Sequence, residues 1–96
     1  MATARYDING SAWTAISSAG QSGTAFLLSP SSTLVVIDHS TSGSSACAIS
    51  KGIPIFPYCD HHPDASLKLT KDSESDIFYA RCVSVDAVAS LIVDVI

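Results

Sequence analysis

Ninety-six residues make one domain with a small core. A hydrophobic fraction of 47% against 15% charged residues is high for a chain of this size that stays soluble alone, so some apolar surface is expected to meet a partner. The net charge of −4 comes from nine acids and five bases, and the bases Arg5, Lys51, Lys68, Lys71 and Arg81 are scattered, which argues against the clustered positive footprint of a nucleic-acid binder.

The stretch from Met1 to Asp7 lacks the apolar core of a secretory signal, and no apolar run approaches membrane-spanning length, so a cytosolic product with no membrane contact is expected. Residues 1–5 are expected as a flexible N-terminal arm. Three cysteines, Cys47, Cys59 and Cys82, form an odd set, which predicts buried thiols acting as small hydrophobes instead of a disulfide framework.

Arg5 to Ile8 is extended in character, and Asn9-Gly10 is a strong turn signal leading into Ala12 to Ile16, a pattern that predicts a first hairpin. The lone tryptophan, Trp13, reads as a core or interface anchor. Ser17 to Gly23 is a loop of small polar residues. Within it, Gly20-Gln21-Ser22-Gly23-Thr24 lacks the lysine of a phosphate-binding loop, and a short apolar run ending at Ser29-Pro30 follows where a helix would be needed. Thr33 to Ile37 is the strongest strand, apolar on both faces until Asp38 and His39, so it is predicted to be covered on both sides.

Ser40 to Ser45 is a loop, and Ala46 to Ser50 reads as a strand of modest bulk. Ile53 to Tyr58 carries two prolines, which have no amide hydrogen to give, so it is confined to a sheet edge or an extended arm. Cys59 to Ala65 is an exposed polar loop. Ser66 to Thr70 alternates, with Leu67 and Leu69 on one face and Lys68 on the other.

Asp72 to Val83 is the clearest element. Ser73 to Asp76 offers side chains that hold a tight reversal, and an aromatic and β-branched strand follows. Alternation puts Phe78, Ala80 and Cys82 on the core face, and Ile77, Tyr79, Arg81 and Val83 on a second face whose mix of apolar groups, a phenol and a cation suits contact with another protein. Ser84 to Asp86 is a turn or bulge. A final strand is expected from about Ser90, although Val85, Val88, Ala89 and Ile92 also satisfy helical spacing. Seven to nine short strands separated by Gly, Ser, Pro and Asp turns predict an all-β domain over residues 1–96, either an antiparallel, jelly-roll-like sandwich or a small barrel.

Two constellations could carry chemistry, and neither is convincing. His39 with Cys59, His61 and His62, extended by Cys47 or Cys82, offers zinc-type ligands, but lacks a paired Cys-x-x-Cys or His-x-x-x-His arm. Asp38-His39-Ser40 contains the residue types of a catalytic triad, yet chain neighbours diverge, and His39 is expected to end a strand and cap a turn. No catalytic residue, metal or cofactor is therefore assigned. Arg81, a guanidinium on an apolar face, must find a carboxylate or carbonyls, and an acid from this chain or a symmetry mate is expected.

Three pieces carry a resemblance: Trp13-Thr14-Ala15-Ile16 with Gly20-Gln21-Ser22-Gly23-Thr24, Val36-Ile37-Asp38-His39-Ser40, and Ser75 to Cys82. On these, the chain is similar to small virion proteins of tailed bacteriophages encoded near the head and tail genes. That resemblance implies a non-enzymatic β-rich decoration or cement subunit, synthesised in the host cytoplasm and carried on the virion. It further implies binding to the major capsid protein or other virion proteins, often as a trimer. Trp13, Ile55, Phe56, Tyr58, Tyr79 and Arg81 are the expected interface residues, because aromatics and arginine dominate interface energetics. The alternative is a tail or fibre module that binds carbohydrate or a receptor, with Trp13 or Tyr58 as a stacking platform and Asp60 and His61 as polar partners.

Overall fold

A computed structural model of the chain describes residues 2–27, 34–55 and 66–95. Among these residues, alternating and two-sided apolar runs become eight strands: β1 (Ala2–Asn9), β2 (Thr14–Ala15), β3 (Gly23–Leu27), β4 (Val35–Ser40), β5 (Ile53–Ile55), β6 (Ser66–Leu69), β7 (Ile77–Cys82) and β8 (Val88–Val95). They form two four-stranded sheets with orders β1-β8-β3-β6 and β2-β7-β4-β5, and all the pairings are antiparallel. In this order β1 meets β8, β2 meets β7, β3 meets β6 and β4 meets β5, with the pairs falling alternately in one sheet and the other. That is one long antiparallel ribbon rolled into two layers, the jelly roll.

The layers meet on a shared core. Ile8, Ala25, Leu27, Leu69, Leu91 and Val93 face it from one sheet, and Val35, Ile37, Ile55, Phe78, Ala80 and Cys82 from the other. Each large aliphatic side chain fully withdrawn from water here contributes roughly 1.5–3 kcal/mol before conformational entropy is subtracted. The opposite face of the first sheet is polar along β1, where Thr3 Oγ1 donates to Asp94 Oδ1 at 3.0 Å and Ser90 Oγ donates to Asp7 Oδ1 at 3.1 Å, while Phe26 on β3 and Val88 on β8 stand exposed on it.

The strand predicted from Thr33 to Ile37 is β4 from Val35, and its two-sided cover is real: Val35, Val36, Ile37 and Asp38 are all buried. Part of the cover is the chain's own β4–β5 connection. Gly52 lies so close to Val36 that a Cβ there would overlap the valine, while Asp38 Oδ2 accepts from Ala48 N at 3.1 Å. Ala46 to Ser50, expected as a strand, is instead the end of a 3-10 turn (Ser44–Ala46) followed by tight turns in which Ala48 O accepts from Lys51 N and Gly52 N. Small residues let this segment lie flat on the sheet instead of joining it.

Other expectations shift in the same way. Asn9-Gly10 does not close a hairpin, because β1 pairs with β8 and β2 with β7, so the turn carries the chain between layers. Asn9 Oδ1 accepts from Ser11 N at 3.0 Å and Ala12 N at 3.1 Å, and Gly10 is pressed against the Ser84 carbonyl, which explains the strong turn composition without a hairpin. Residues 2–5 of the expected arm are the first half of β1. The last strand starts at Val88, two residues before the expected Ser90. Pro54 sits on β5, an edge strand as predicted, and Leu67 and Leu69 share the inward face of β6, with Leu69 2% exposed. The expected loop Cys59 to Ala65 lies outside the described residues.

Candidate functional site

The polar residues that the fold gathers most tightly lie at the start of β7. In register, Ser40 on β4 stands opposite Ile77 and His39 opposite Phe78, so the turn leading into β7 ends beside the His39 ring. That turn is closed by Asp76 N donating to Ser73 O at 3.3 Å. Asp76 is 1% exposed, and both its carboxylate oxygens approach His39 Nδ1, at 3.0 Å and 2.9 Å. Asp76 Oδ2 also accepts from Asp72 N at 3.3 Å. On the other side of the ring, Asp72 Oδ2 stands 3.5 Å from Nε2, with the imidazole 42% exposed and tilted against Phe78 at a centroid distance of 5.8 Å.

A second carboxylate, Asp38, points to the opposite face of β4. It accepts from Ala48 N at 3.1 Å and from His39 N at 2.8 Å, with Lys51 Nζ 3.7 Å away. A neighbouring loop closes the same end: Gly20 N donates to Asp76 O at 2.9 Å, and Lys71 Nζ donates both to Gly20 O at 3.1 Å and to Glu74 Oε1 at 2.7 Å. Gly20 adopts φ 75 and presses on the Glu74 carbonyl, so the segment read as a plain turn in place of a phosphate loop is a turn that docks on another turn.

Chemically, His39, Asp72 and Asp76 each offer one ligand atom, all within 4.8 Å of one another, a donor set of zinc type. The same atoms already face one another, with Asp76 hydrogen-bonded to His39 Nδ1 and Asp72 standing 3.5 Å from Nε2, so the cluster serves as a latch holding the 72–76 turn to β4. Of the metal ligands considered from sequence, Cys82 lies at the far end of β7, while Cys59, His61 and His62 lie outside the described residues. The triad Asp38-His39-Ser40 is not assembled: the acid on the imidazole is Asp76, Asp38 serves the backbone on the other face, and Ser40 Oγ bonds Ser42. Beside the latch, between β4 and β5 of one sheet and β6 of the other, lies a cleft of about 340 Å³ with Ile37, Ile53 and Leu69 on its walls and His39, Lys51 and Lys68 among its polar groups.

The expected interface residues are dispersed. Ile55 is 1% exposed and belongs to the core, and Tyr79, opposite the buried Asp38, is 8% exposed, so the chain itself covers both. Trp13 is half-buried, and Phe56 and Tyr58 lie outside the described residues. Arg81 is half-buried and donates through Nε to Gly10 O at 2.9 Å, a carbonyl where an acid was expected, and it makes no ion pair among the described residues. Among the described residues, the large apolar side chains that remain exposed are Phe26, Ile53, Val83, Val85 and Val88, at 42%, 58%, 40%, 65% and 71%. Sequence reasoning missed the Asp76–His39 pair because its partners are 37 positions apart and meet only through the β4–β7 register. The one available signal was an acid at the exact boundary of turn and strand.

Comparison with known protein families, curated proteins and solved structures finds no match for the chain.

Proposed function

We propose that the chain is a non-enzymatic structural subunit of a bacteriophage virion, a decoration or cement protein that stabilises the head lattice through self-association and contact with the major capsid protein. The observation that carries this reading is the apolar lip beyond β7, where Val83, Val85 and Val88 stay 40%, 65% and 71% exposed in a domain too small to spare such groups. The jelly roll supports it at the level of architecture, since viral shell proteins use that roll, although the fold alone assigns no function. A clamp of this kind acts by mass action: its binding energy exists only where lattice sites are assembled, so it shifts the equilibrium toward the closed shell. The test is to look for the chain on purified particles and to compare the heat stability of heads with and without it. Presence on the head and a lower disruption temperature after deletion are expected. Absence from the particle would overturn this reading and the fibre-module alternative together, whereas presence on the tail with glycan binding by the isolated domain would replace it with that alternative.

A further inference from the structure

The two sheets present four edge strands, and three are poor templates for another strand. Among the described residues, β2 has two residues, β5 has three including Pro54, and β6 has four with Lys68 among them. Short length, proline and lysine are the devices that keep sheet edges from pairing with other chains. β1 carries none of these. It runs for eight residues with no proline, glycine or lysine, and its register against β8 is continuous from Ala2↔Val95 to Asn9↔Val88, with no bulge. Among the described residues, no strand pairs with its outer edge.

We propose that β1 pairs antiparallel with β1 of a second copy, joining two four-stranded sheets into one eight-stranded sheet across a two-fold axis at Tyr6. The charges select the register. Arg5 and Asp7 are both exposed on the polar face, and neither forms an ion pair within the chain among the described residues. With Tyr6 opposite its own copy, Arg5 stands opposite the second copy's Asp7 and Asp7 opposite its Arg5, while Thr3 meets Asn9 and Ala4 meets Ile8. Moving the axis to Arg5 would oppose two guanidinium groups, and moving it to Asp7 would oppose two carboxylates. A shift by one residue would set the polar face of one copy beside the core face of the other. Cross-strand opposite charges stabilise a pair and like charges destabilise it, so only the Tyr6-centred register satisfies both charge and face. This contact uses the outer edge of β1, whereas Val88 of the apolar lip stands on β8 beside Asn9; it yields a dimer, not the trimer that the resemblance implies, so it can fail while capsid binding survives.

The experiment is a charge swap on the full chain, read by sedimentation velocity across a concentration series at low salt, with far-UV circular dichroism to verify that each variant is folded. The unmodified chain is expected to pass from monomer to dimer with concentration. Arg5→Asp and Asp7→Arg, each turning two attractive pairs into two repulsive ones, are expected to raise the dissociation constant roughly tenfold or more. The double variant is expected to recover the dimer. Amide exchange should slow in the β1 peptide of the unmodified chain as the concentration rises. A monomer at every concentration overturns the proposal, as do single variants that dimerise normally or a double variant that does not recover.

Discussion

At the start of β7 a buried carboxylate, Asp76, holds His39 of the neighbouring strand at 2.9 Å, whereas beyond its end Val85 and Val88 are left 65% and 71% exposed. The first end spends polar groups in the interior and satisfies every one locally: no buried side-chain nitrogen or oxygen among the described residues lacks a partner. The second end leaves apolar groups in water, where nothing among the described residues covers them. The fold closes one end with its own hydrogen bonds and leaves apolar side chains exposed at the other.

The strongest way to break the contrast is Asp76→Ala. It removes the buried acid that His39 Nδ1 and Asp72 N bond, and because the imidazole left behind is 42% exposed and can turn to water, about 2–3 kcal/mol of stability should be lost in urea unfolding. Asp72→Ala, whose side chain is 73% exposed, should cost under about 1 kcal/mol. Equal costs would show that the latch does not depend on the buried acid. At the other end, Gly10→Ala drives a Cβ into the backbone of Ser84 and Val85, and roughly 1–3 kcal/mol is expected from overpacking. Arg81→Ala should cost about 1 kcal/mol by releasing the Gly10 carbonyl, with Arg81→Lys recovering little because a point charge lacks the planar reach of the guanidinium. If Arg81→Ala instead abolishes assembly while leaving unfolding untouched, the residue serves a partner and not this turn.

The sandwich was legible because its signals are local: alternation at Leu67 and Leu69, two-sided burial from Val35 to Ile37, and a polar turn feeding an aromatic strand at Ile77. Pairing was not. Asn9-Gly10 has hairpin chemistry, yet the chain crosses to the other sheet there, since the register between β1 and β8 is set by residues far apart in the chain, from Ala2↔Val95 to Asn9↔Val88. The outer face of β7 was misread for a related reason. Tyr79 lies opposite Asp38 on a sheet face that the chain covers in part with its own 44–52 segment, and a run of serines and alanines carries no sign of where it will lie. The latch was hidden in the same way, because a histidine on one strand and an aspartate before another announce nothing until the strands are paired.

The thiols give a gentler probe of the two ends. Burial raises Cys47 above the ordinary thiol range, with Asp38 and Asp76 adding to the rise and Lys51 opposing it, and burial also raises Cys82, against a smaller opposing contribution from the Ala89 backbone. The folded chain therefore holds both protons more tightly than the unfolded chain. Their contribution to stability is intact below the ordinary thiol range and falls as pH rises through it toward the folded values. Alkylation followed by peptide mapping near pH 8 should be slow at both sites in the native state, and slower at Cys82, which is 0% exposed. Faster labelling of Cys47 than of Cys82 in Asp76→Ala, beyond the native ratio, would locate the loosening at the latch end.

The smallest effect on folding should come from Val85→Ser with Val88→Ser, and it is the most informative about function. Both side chains are mostly in water, so their polar replacement should change unfolding by less than about 0.5 kcal/mol. If the lip seats on a partner, the same pair of changes removes two apolar contacts from a buried interface, and affinity for assembled heads should fall roughly tenfold or more. A large effect on binding with none on unfolding separates a surface held for a partner from one that merely tolerates exposure. Unchanged binding would move the contact to another face of the roll, with Phe26 on the outer side of β3 and Ile53 on the β5 edge, both exposed, as the next apolar groups to test.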